Sequence, residues 1–358
     1  MIEPQNWEGL SVPRLAAVVE PLSAWYVENR RALPWREDPT PYHVWLSEIM
    51  LQQTRITAVI PYYLRFLEAF PAPEALAAVE DEELMKLWEG LGYYSRARNL
   101  KAAAIRIVED FGGDLPADYK ALLSLPGVGE YTAGAIASIA FGLPEPAVDG
   151  NVLRVVVRLC DCHDDVTRPD VKKCVTEALR AVYPTGAGAG VLTQAVMELG
   201  ESICIPNGQP RCMECPLSPY CAALAANTVD ELPKKTPKKP RRIEKRTVFL
   251  LEYDGAYAIA KRPETGLLAG LWEFPSTDGA LSREEAVAYA ESIGIKVSEC
   301  ASVGDAVHVF THVEWHMTGL RLRLAQAPDA KHTVVSPALL KEQFAIPKAF
   351  EAFKKMLN

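Results

Sequence analysis

The chain contains 358 residues, more than one hydrophobic core usually fills, and so predicts two domains. Its hydrophobic residues (49%) and charged residues (23%) are in the ordinary proportions of a globular protein, and no apolar run approaches the roughly 18 residues of a membrane span. The net charge of −8 does not exclude nucleic acid, because eight Lys/Arg stand against one acidic residue at 233–246. Since the N-terminus has no signal pattern, we expect a cytoplasmic protein.

The first part of the chain has a helical pattern. Apolar residues recur at three- and four-residue spacing from residue 15 to about 225, with short connections marked by Pro, Gly or Asp. We therefore expect an all-α domain at 1–225. The following segment, 226–246, is rich in Pro, Lys and Arg and has too few apolar side chains to bury a core. It is predicted to be a semi-extended basic linker.

The remaining residues, 247–358, predict an α+β domain. Two β-rich runs meet at Asp254-Gly255, which is a hairpin signal. An amphipathic helix is expected at 281–294, and a second pair of strands at 307–325.

A tight turn between two helical segments carries the motif LPGVGEY at 125–131. The glycines allow backbone conformations that other residues avoid, and the amides at the start of the next helix can bind a DNA phosphate. We expect Gly127, Val128 and Gly129 to contact the DNA backbone without reading its sequence. The alternative is an ordinary Pro-Gly turn.

Two carboxylates stand in positions suited to acid–base chemistry. Glu48 lies in an apolar helical stretch, where burial would raise its pKa and make it a proton donor at neutral pH. Asp149 precedes an apolar-periodic run and is either a plain N-cap or a carboxylate facing a sugar. Gln52 and Gln53 offer donor and acceptor groups suited to a base edge.

Eight cysteines in a chain expected in the cytoplasm do not suggest a disulfide framework. Four of them, Cys204, Cys212, Cys215 and Cys221, fall within eighteen residues and can close around one metal centre. Zinc usually takes paired C-x2-C knuckles and is the alternative, whereas this asymmetric spacing favours a [4Fe–4S] cluster with a structural role. The other four are expected to be buried thiols.

Five motifs in this order resemble the adenine DNA glycosylase (MutY) family of the helix-hairpin-helix, endonuclease III-like superfamily. They are WLSEIMLQQT, GLGYYSRARNL, LPGVGEYTAGAIASIAF, AVDGNVLRV and the four-cysteine loop. The resemblance covers almost the whole chain. It implies a helical glycosylase domain with a cluster loop, joined to a Nudix-like C-terminal domain.

The resemblance also assigns roles to residues. Glu48 matches the general acid that protonates adenine at N7, and Asp149 matches the carboxylate that stabilises an oxocarbenium-like sugar. Tyr93 matches an intercalating wedge. The residues that match the lining of the adenine pocket are Trp35, Arg36, Leu51, Gln53 and Gln194. A glycosylase must flip a base, protonate the leaving group and stabilise a cationic sugar, and these side chains suit that work.

Tyr131 distinguishes this chain from the endonuclease III proteins, which carry a Schiff-base lysine at the matching position. Without that amine there is no covalent route to strand cleavage, so we expect Tyr131 to contact the substrate and the product to be an abasic site.

The second domain contains Phe310-Thr311-His312 where the family has a Phe-Ser-His loop that inspects 8-oxoguanine. GLWEFP at 270–275 resembles the Nudix-like core, but 283–285 does not continue into the REUxEExGU helix (U, aliphatic) of a Nudix hydrolase. The domain is therefore predicted to be a reader of the lesion.

The predicted substrate is double-stranded DNA with adenine opposite 8-oxoguanine or guanine, bound by a monomer that associates with the nucleoid if the source is bacterial. The family usually has six residues between the first two cluster cysteines, and here there are seven. Loop closure changes little with one residue, so the cluster is still expected. Protein partners at the basic linker stay undefined.

Three other functions remain open from sequence. The first is a bifunctional oxidised-pyrimidine glycosylase/lyase, which Tyr131 and the Phe310-Thr311-His312 motif disfavour. The second is a nucleotide pyrophosphatase fused to a DNA-binding module, which the missing acidic helix disfavours. The third is a cluster-bearing DNA-binding regulator without catalysis, which would retain its activities after Glu48→Gln.

Overall fold

A computed structural model of the chain describes residues 10–237 and 240–357. Residues 1–9, on which the prediction about a signal pattern depends, lie outside the described residues. The same is true of two lysines of the basic segment, at 238–239. The helices are α1 (Val12–Asn29), α2 (Pro34–Glu37), α3 (Pro41–Leu51), α4 (Ile56–Ala69), α5 (Pro73–Ala78), α6 (Asp81–Leu87), α7 (Ser95–Phe111), α8 (Tyr119–Ser124), α9 (Glu130–Ile139), α10 (Gly150–Cys160), α11 (Pro169–Arg180), α12 (Ala187–Ser202), α13 (Ala222–Ala226), α14 (Arg283–Ser292), α15 (Pro337–Gln343) and α16 (Glu351–Lys354). The strands are β1 (Arg242–Tyr253), β2 (Ala256–Lys261), β3 (Trp272–Glu273), β4 (Ser276–Asp278), β5 (Val297–Val309), β6 (Val313–Leu324) and β7 (Thr333–Val335). No helix within these two ranges is long and apolar enough to cross a membrane.

The chain divides into two compact units. The first comprises the residues up to Ala78 together with Arg98–Pro237, and the second comprises Val79–Ala97 together with the residues that follow Pro237. The segment that contains α6 thus packs with the C-terminal residues. Lys86 Nζ donates to the carbonyl of Lys341 at 2.7 Å, and Lys354 Nζ lies 2.7 Å from the Glu89 carboxylate.

Within the helical unit, α10 packs against α1, α11, α12 and α13. Val152, Val156 and Leu159 of α10 are buried against apolar residues of these helices. Every residue of α10 from Val152 to Cys160 is buried, including two arginines. A helix that is buried on all sides lies in the middle of a domain, so α10 holds a fixed position from which its first turn can present a side chain.

The second unit contains a mixed sheet with strand order β3-β2-β1-β6-β5. β1 and β6 are parallel, whereas β5 and β6 form an antiparallel hairpin. Val248 and Leu250 of β1 pack on one face of the sheet, and Phe249 and Leu251 pack on the other face beneath α14. The run of apolar residues in β1 is therefore a central strand that is covered on both sides.

The secondary structure predicted for this unit is confirmed, except that β5 begins at Val297, ten residues before the predicted second strand pair. Asp254 (φ +49°) and Gly255 (φ +72°) form the turn between β1 and β2, the left-handed pair that a tight hairpin needs. Helix α14 begins after a capping box at Ser282, and β5 and β6 are the second strand pair. β1 begins at Arg242, inside the segment predicted as a linker, because its first residues pair with β6 from Val313 onward.

Candidate active site

The helical unit contains a cavity of about 950 Å³ that brings together nine residues singled out in the sequence. This volume lies within the range of small-molecule and cofactor sites. The nine residues are Trp35, Arg36, Glu48, Leu51, Gln52, Gln53, Tyr131, Asp149 and Gln194. They come from α2, α3, the turn after α3, α9, the start of α10, and α12. Side chains far apart in the sequence therefore face one space.

Glu48 lies in α3 and is 6% exposed. Its Oε2 atom is buried without a hydrogen-bond partner in the described structure. Burial raises the pKa of Glu48 to about 7, and the negative charge of Asp149 adds to the rise, while a hydrogen bond from the Tyr131 hydroxyl opposes it. A large fraction of Glu48 is consequently protonated at neutral pH, as a general acid requires.

Asp149 is the N-cap of α10. Its Oδ1 accepts hydrogen bonds from the amides of Asn151 (2.9 Å) and Val152 (2.8 Å), and its Oδ2 accepts one from Asn151 Nδ2 (3.0 Å). Burial raises the pKa of Asp149, but these donors oppose the rise by stabilising the anion. The N-cap predicted from the sequence is confirmed, and Asp149 also lines the cavity, so its role towards a sugar stays a prediction.

Tyr131 and Gln194 form part of the cavity wall. The Tyr131 hydroxyl lies 3.8 Å from Met197 Sδ, and burial keeps its pKa well above the usual value, so the phenol is neutral. Gln194 Oε1 accepts a hydrogen bond from the Tyr26 hydroxyl at 3.0 Å, and its Nε2 donates to the Gly190 carbonyl at 3.2 Å. No lysine lies among the described residues that line the cavity.

A buried ion-pair group in the same cavity was not identified from the sequence. Glu198 of α12 is 2% exposed and binds the guanidinium groups of both Arg31 and Arg36. Arg36 also lies over the ring of Tyr26, 5.5 Å from its centroid. A glutamate on the apolar helix α12 is the only signal in the sequence, and its partners are more than 160 residues away.

The helix-hairpin-helix turn joins α8 to α9. Gly127 adopts φ +76°, and a Cβ there would lie 2.7 Å from Asn99 Cβ, so the position requires glycine. The amide of Val128 already donates to the Leu125 carbonyl at 3.1 Å. Within the described chain, Gly127 and Gly129 donate to no backbone carbonyl, and α9 begins directly after Gly129. Free amides at this helix start can bind a phosphate.

The cysteine loop lies against α10. Cys204, Cys215 and Cys221 pack on the apolar core that contains α10, and Cys212 begins a short 3-10 turn. In the described part of the chain, no three ligating side chains are placed to hold a single metal ion. The loop is held by the buried Arg158, whose Nη1 lies 3.4 Å from Cys204 Sγ and 3.0 Å from the Ile205 carbonyl.

A second buried arginine, Arg154, joins this loop to the cavity. Its Nε donates to the Cys204 carbonyl at 2.7 Å, and its Nη2 donates to Asn151 Oδ1 at 2.9 Å. Asn151 in turn donates to Asp149. Arg154 and Arg158 were missed from the sequence, although two arginines four residues apart in an apolar helix are a signal of buried hydrogen bonding.

The remaining predicted residues belong to the second unit and do not line this cavity. Tyr93 has φ +48° and is 46% exposed, with Arg96 over its ring at 5.6 Å. Thr311 and His312 are exposed at the turn between β5 and β6. Phe310 packs against Trp315 with ring centroids 4.9 Å apart, and its carbonyl accepts a hydrogen bond from Arg241 Nε at 3.1 Å.

Comparisons with known proteins agree with this arrangement. Residues 46–181 match the HhH-GPD superfamily of base excision DNA repair proteins, and residues 247–356 match the NUDIX domain. The chain is 34% identical to the adenine DNA glycosylase of Mus musculus, covering 94% of this chain and 76% of the relative. The chain belongs to the adenine DNA glycosylase family. The corresponding protein of Homo sapiens is 35% identical, covering 94% of this chain and 72% of the relative.

The helical unit also resembles solved structures. A trapped endonuclease III–DNA covalent intermediate is 26% identical, covers 61% of this chain and 99% of its own chain, and superposes with a TM-score of 0.52. The predicted fold class, a helical helix-hairpin-helix domain followed by a Nudix-like sheet domain, is confirmed. The protein is a DNA glycosylase of base excision repair.

Proposed function

We propose that this glycosylase removes adenine paired with 8-oxoguanine or guanine by hydrolysing the N-glycosidic bond, and that it leaves an abasic site. The observation that carries the proposal is that Glu48 and Asp149 line the same cavity. Burial raises the pKa of both carboxyls, that of Glu48 to about 7, whereas amide donors at the N-cap oppose the rise for Asp149. Two carboxyls in contrasting environments can divide acid and anionic work between them.

In this mechanism the flipped adenine enters the cavity, where Glu48 donates a proton to the base and makes it a better leaving group. The Asp149 carboxylate then stabilises the positive charge that develops on the sugar as the bond breaks. The family's pocket positions, Trp35, Arg36, Leu51, Gln53, Tyr131 and Gln194, would hold the base. The helix-hairpin-helix turn would grip the phosphates beside the flipped nucleotide.

A lyase step is not part of the proposal. Strand cleavage through a Schiff base needs an amine nucleophile in the pocket, and Tyr131 offers a neutral phenol instead. Among the described residues of the cavity, the cationic side chains are arginines, which stay protonated and are poor nucleophiles.

We further propose that Cys204, Cys212, Cys215 and Cys221 hold a [4Fe–4S] cluster. Such a cluster takes one thiolate on each of four irons, so its ligands surround a volume and need not converge on one ion. The four side chains fit this requirement in part, because Cys204, Cys215 and Cys221 pack on the same apolar core beside α10 and Cys212 begins the 3-10 turn that leads to Cys215. The cluster would stabilise the loop and supply no step of the reaction.

We also propose a monomeric state and the division at 1–225, 226–246 and 247–358, with the last residues of the middle segment, from Arg242, paired in β1. In the second domain, Thr311 and His312 are exposed at a turn and are suited to contact 8-oxoguanine on the opposite strand. Tyr93 is exposed and suited to enter the base stack.

The test is a single-turnover reaction on a duplex with one adenine opposite 8-oxoguanine, analysed with and without hot alkali. Strand breaks that appear only after alkali, and that disappear in Glu48→Gln, support adenine removal without lyase activity. Breaks without alkali, together with a product trapped by borohydride, would support the bifunctional alternative. Strands that stay intact after alkali would contradict the proposal.

A further inference from the structure

The cavity contains charged side chains that have no role in the proposed reaction steps. Besides Glu48 and Asp149, it contains Glu198 and the guanidinium groups of Arg31 and Arg36. A guanidinium in a partly desolvated cavity forms strong bidentate pairs with any carboxylate it can reach. If Arg36 paired with Glu48, that carboxyl would be held as an anion and could no longer donate a proton.

Glu198 forms an ion pair with Arg36 in the structure. Its Oε2 lies 2.8 Å from Arg36 Nη2 and 3.1 Å from Arg31 Nη2, and its Oε1 binds Arg31 Nε. Arg36 Nη1 donates to the Arg31 carbonyl at 3.2 Å, and the guanidinium lies over the Tyr26 ring. The side chains of Arg36 and Glu198 are 10% and 2% exposed, so little solvent weakens the pair.

We propose that Glu198 is a positioning residue of the base pocket, which binds the Arg36 guanidinium and thereby prevents it from pairing with Glu48 or Asp149. The inference rests on the proposed removal of adenine, and it adds a residue that controls the protonation of Glu48, the proton donor of that reaction. Although burial alone would raise the pKa of Glu198, hydrogen bonds from Arg31 and the charge of Arg36 lower it. Glu198 is therefore an anion at every pH at which the enzyme would work.

The charge around Glu48 gives the direction of the effect. Besides burial, the groups that act on Glu48 are Tyr131 of α9, Asp149 at the start of α10, Arg36 of α2 and Glu201 of α12. Arg36 favours ionised Glu48, whereas Asp149 and Glu201 disfavour it. Loss of the Glu198 charge leaves Arg36 uncompensated and free to turn towards Glu48, so Glu48 would release its proton at lower pH.

The test measures the titration of Glu48 in two ways in the full-length protein. One is the single-turnover rate of adenine release between pH 5.5 and 9. The other is the infrared absorption of the protonated carboxyl, assigned by its loss in Glu48→Gln, which requires no activity. The variants are Glu198→Gln, Glu198→Asp, Arg36→Gln and, as a matched control, Glu201→Gln, which removes a 40% exposed carboxylate from the same cavity.

We expect Glu198→Gln to move both midpoints to lower pH by ~0.5–1 unit, the order of shift that one uncompensated unit charge produces in a partly solvated pocket. The rate above the midpoint should then fall by roughly 3–10-fold and recover at low pH. Glu198→Asp should keep the wild-type midpoint, Glu201→Gln should move it less because water screens the lost charge, and Arg36→Gln should move it to higher pH.

Unchanged infrared midpoints in Glu198→Gln and Arg36→Gln would overturn the inference. A uniform loss of rate at all pH values in Glu198→Gln, with its infrared midpoint unmoved, would show a merely structural role. If the wild-type protein releases no adenine, the proposed function fails, and the infrared midpoints still decide whether Glu198 controls Arg36. If Glu198→Gln does not fold, the opposite shift expected for Arg36→Gln still tests the inference.

Discussion

Replacement of Glu48 by glutamine should stabilise the protein while it abolishes adenine release. The pKa of this carboxyl rises from 4.5 in the unfolded chain to about 7 in the folded protein, chiefly through burial. Each pKa unit corresponds to 1.36 kcal/mol, so the buried charge costs about 3 kcal/mol above pH 7. Glu48→Gln removes that cost and also removes the proton donor.

The pH dependence has a definite sign. Because the folded pKa is raised, the favourable contribution of proton binding is fully present below pH 4.5 and is lost as pH rises through about 7. The stability advantage of Glu48→Gln should therefore be larger at pH 8.5 than at pH 5.5, by about 2 kcal/mol. The desolvation of the new amide does not depend on pH and cancels from this difference.

Urea unfolding of the wild-type protein and Glu48→Gln at the two pH values measures this difference. Glu37→Gln, which changes an exposed glutamate of α2, is the control for the chemical substitution itself. Equal stability differences at pH 5.5 and 8.5 would refute the argument, because they would mean that Glu48 ionises at its ordinary pKa. Adenine release that survives in Glu48→Gln would refute its role as the acid.

Three further predictions concern the rest of the site. Gly127→Ala should lower the free energy of unfolding by ~1–3 kcal/mol, because it introduces a close contact and a strained φ. The same variant should bind duplex DNA more weakly in fluorescence anisotropy. Gly129→Ala is the control: its Cβ would meet nothing within 4 Å, so the free energy of unfolding should stay unchanged. Asp149→Asn keeps the helix cap but loses the negative charge. The single-turnover rate of adenine release should therefore fall by ~100-fold or more, while the unfolding midpoint changes little. A rate within about threefold of the wild-type rate would contradict the proposed role of Asp149. Cys215→Ala should reduce bound iron and acid-labile sulfide, whereas Cys300→Ala should retain both, and equal contents in the two variants would argue against the cluster.

Local patterns predicted much of this structure. The hairpin at Asp254-Gly255 follows from two residues that tolerate left-handed backbone conformations, and the strand and helix periods follow from burial on one or both faces. Glu48 was identified as a carboxylate within an apolar helix, and Asp149 as a carboxylate at the start of another helix. Both signals lie within a few residues of the side chain concerned.

Contacts between distant segments could not be predicted in the same way. The pairing of Glu198 with Arg31 and Arg36 depends on how α12 packs near α2, and no spacing in the sequence encodes it. The hydrogen bonds from Arg154 and Arg158 to the cysteine loop were equally hidden, although their burial in α10 could have been suspected. Tertiary packing, which brings these groups together, determines which charges are compensated.

The membership of Val79–Ala97 in the second unit has a consequence for synthesis of the protein. This segment leaves the ribosome long before Lys354, whose ammonium group binds Glu89, and before the carbonyls that accept from Lys86. Domains usually fold as they emerge, so the hydrogen bonds from Lys86 and Lys354 between this segment and the C-terminal residues form late. A chain that ends at the linker would lack the carbonyl groups that accept from Lys86 and the ammonium group that binds Glu89.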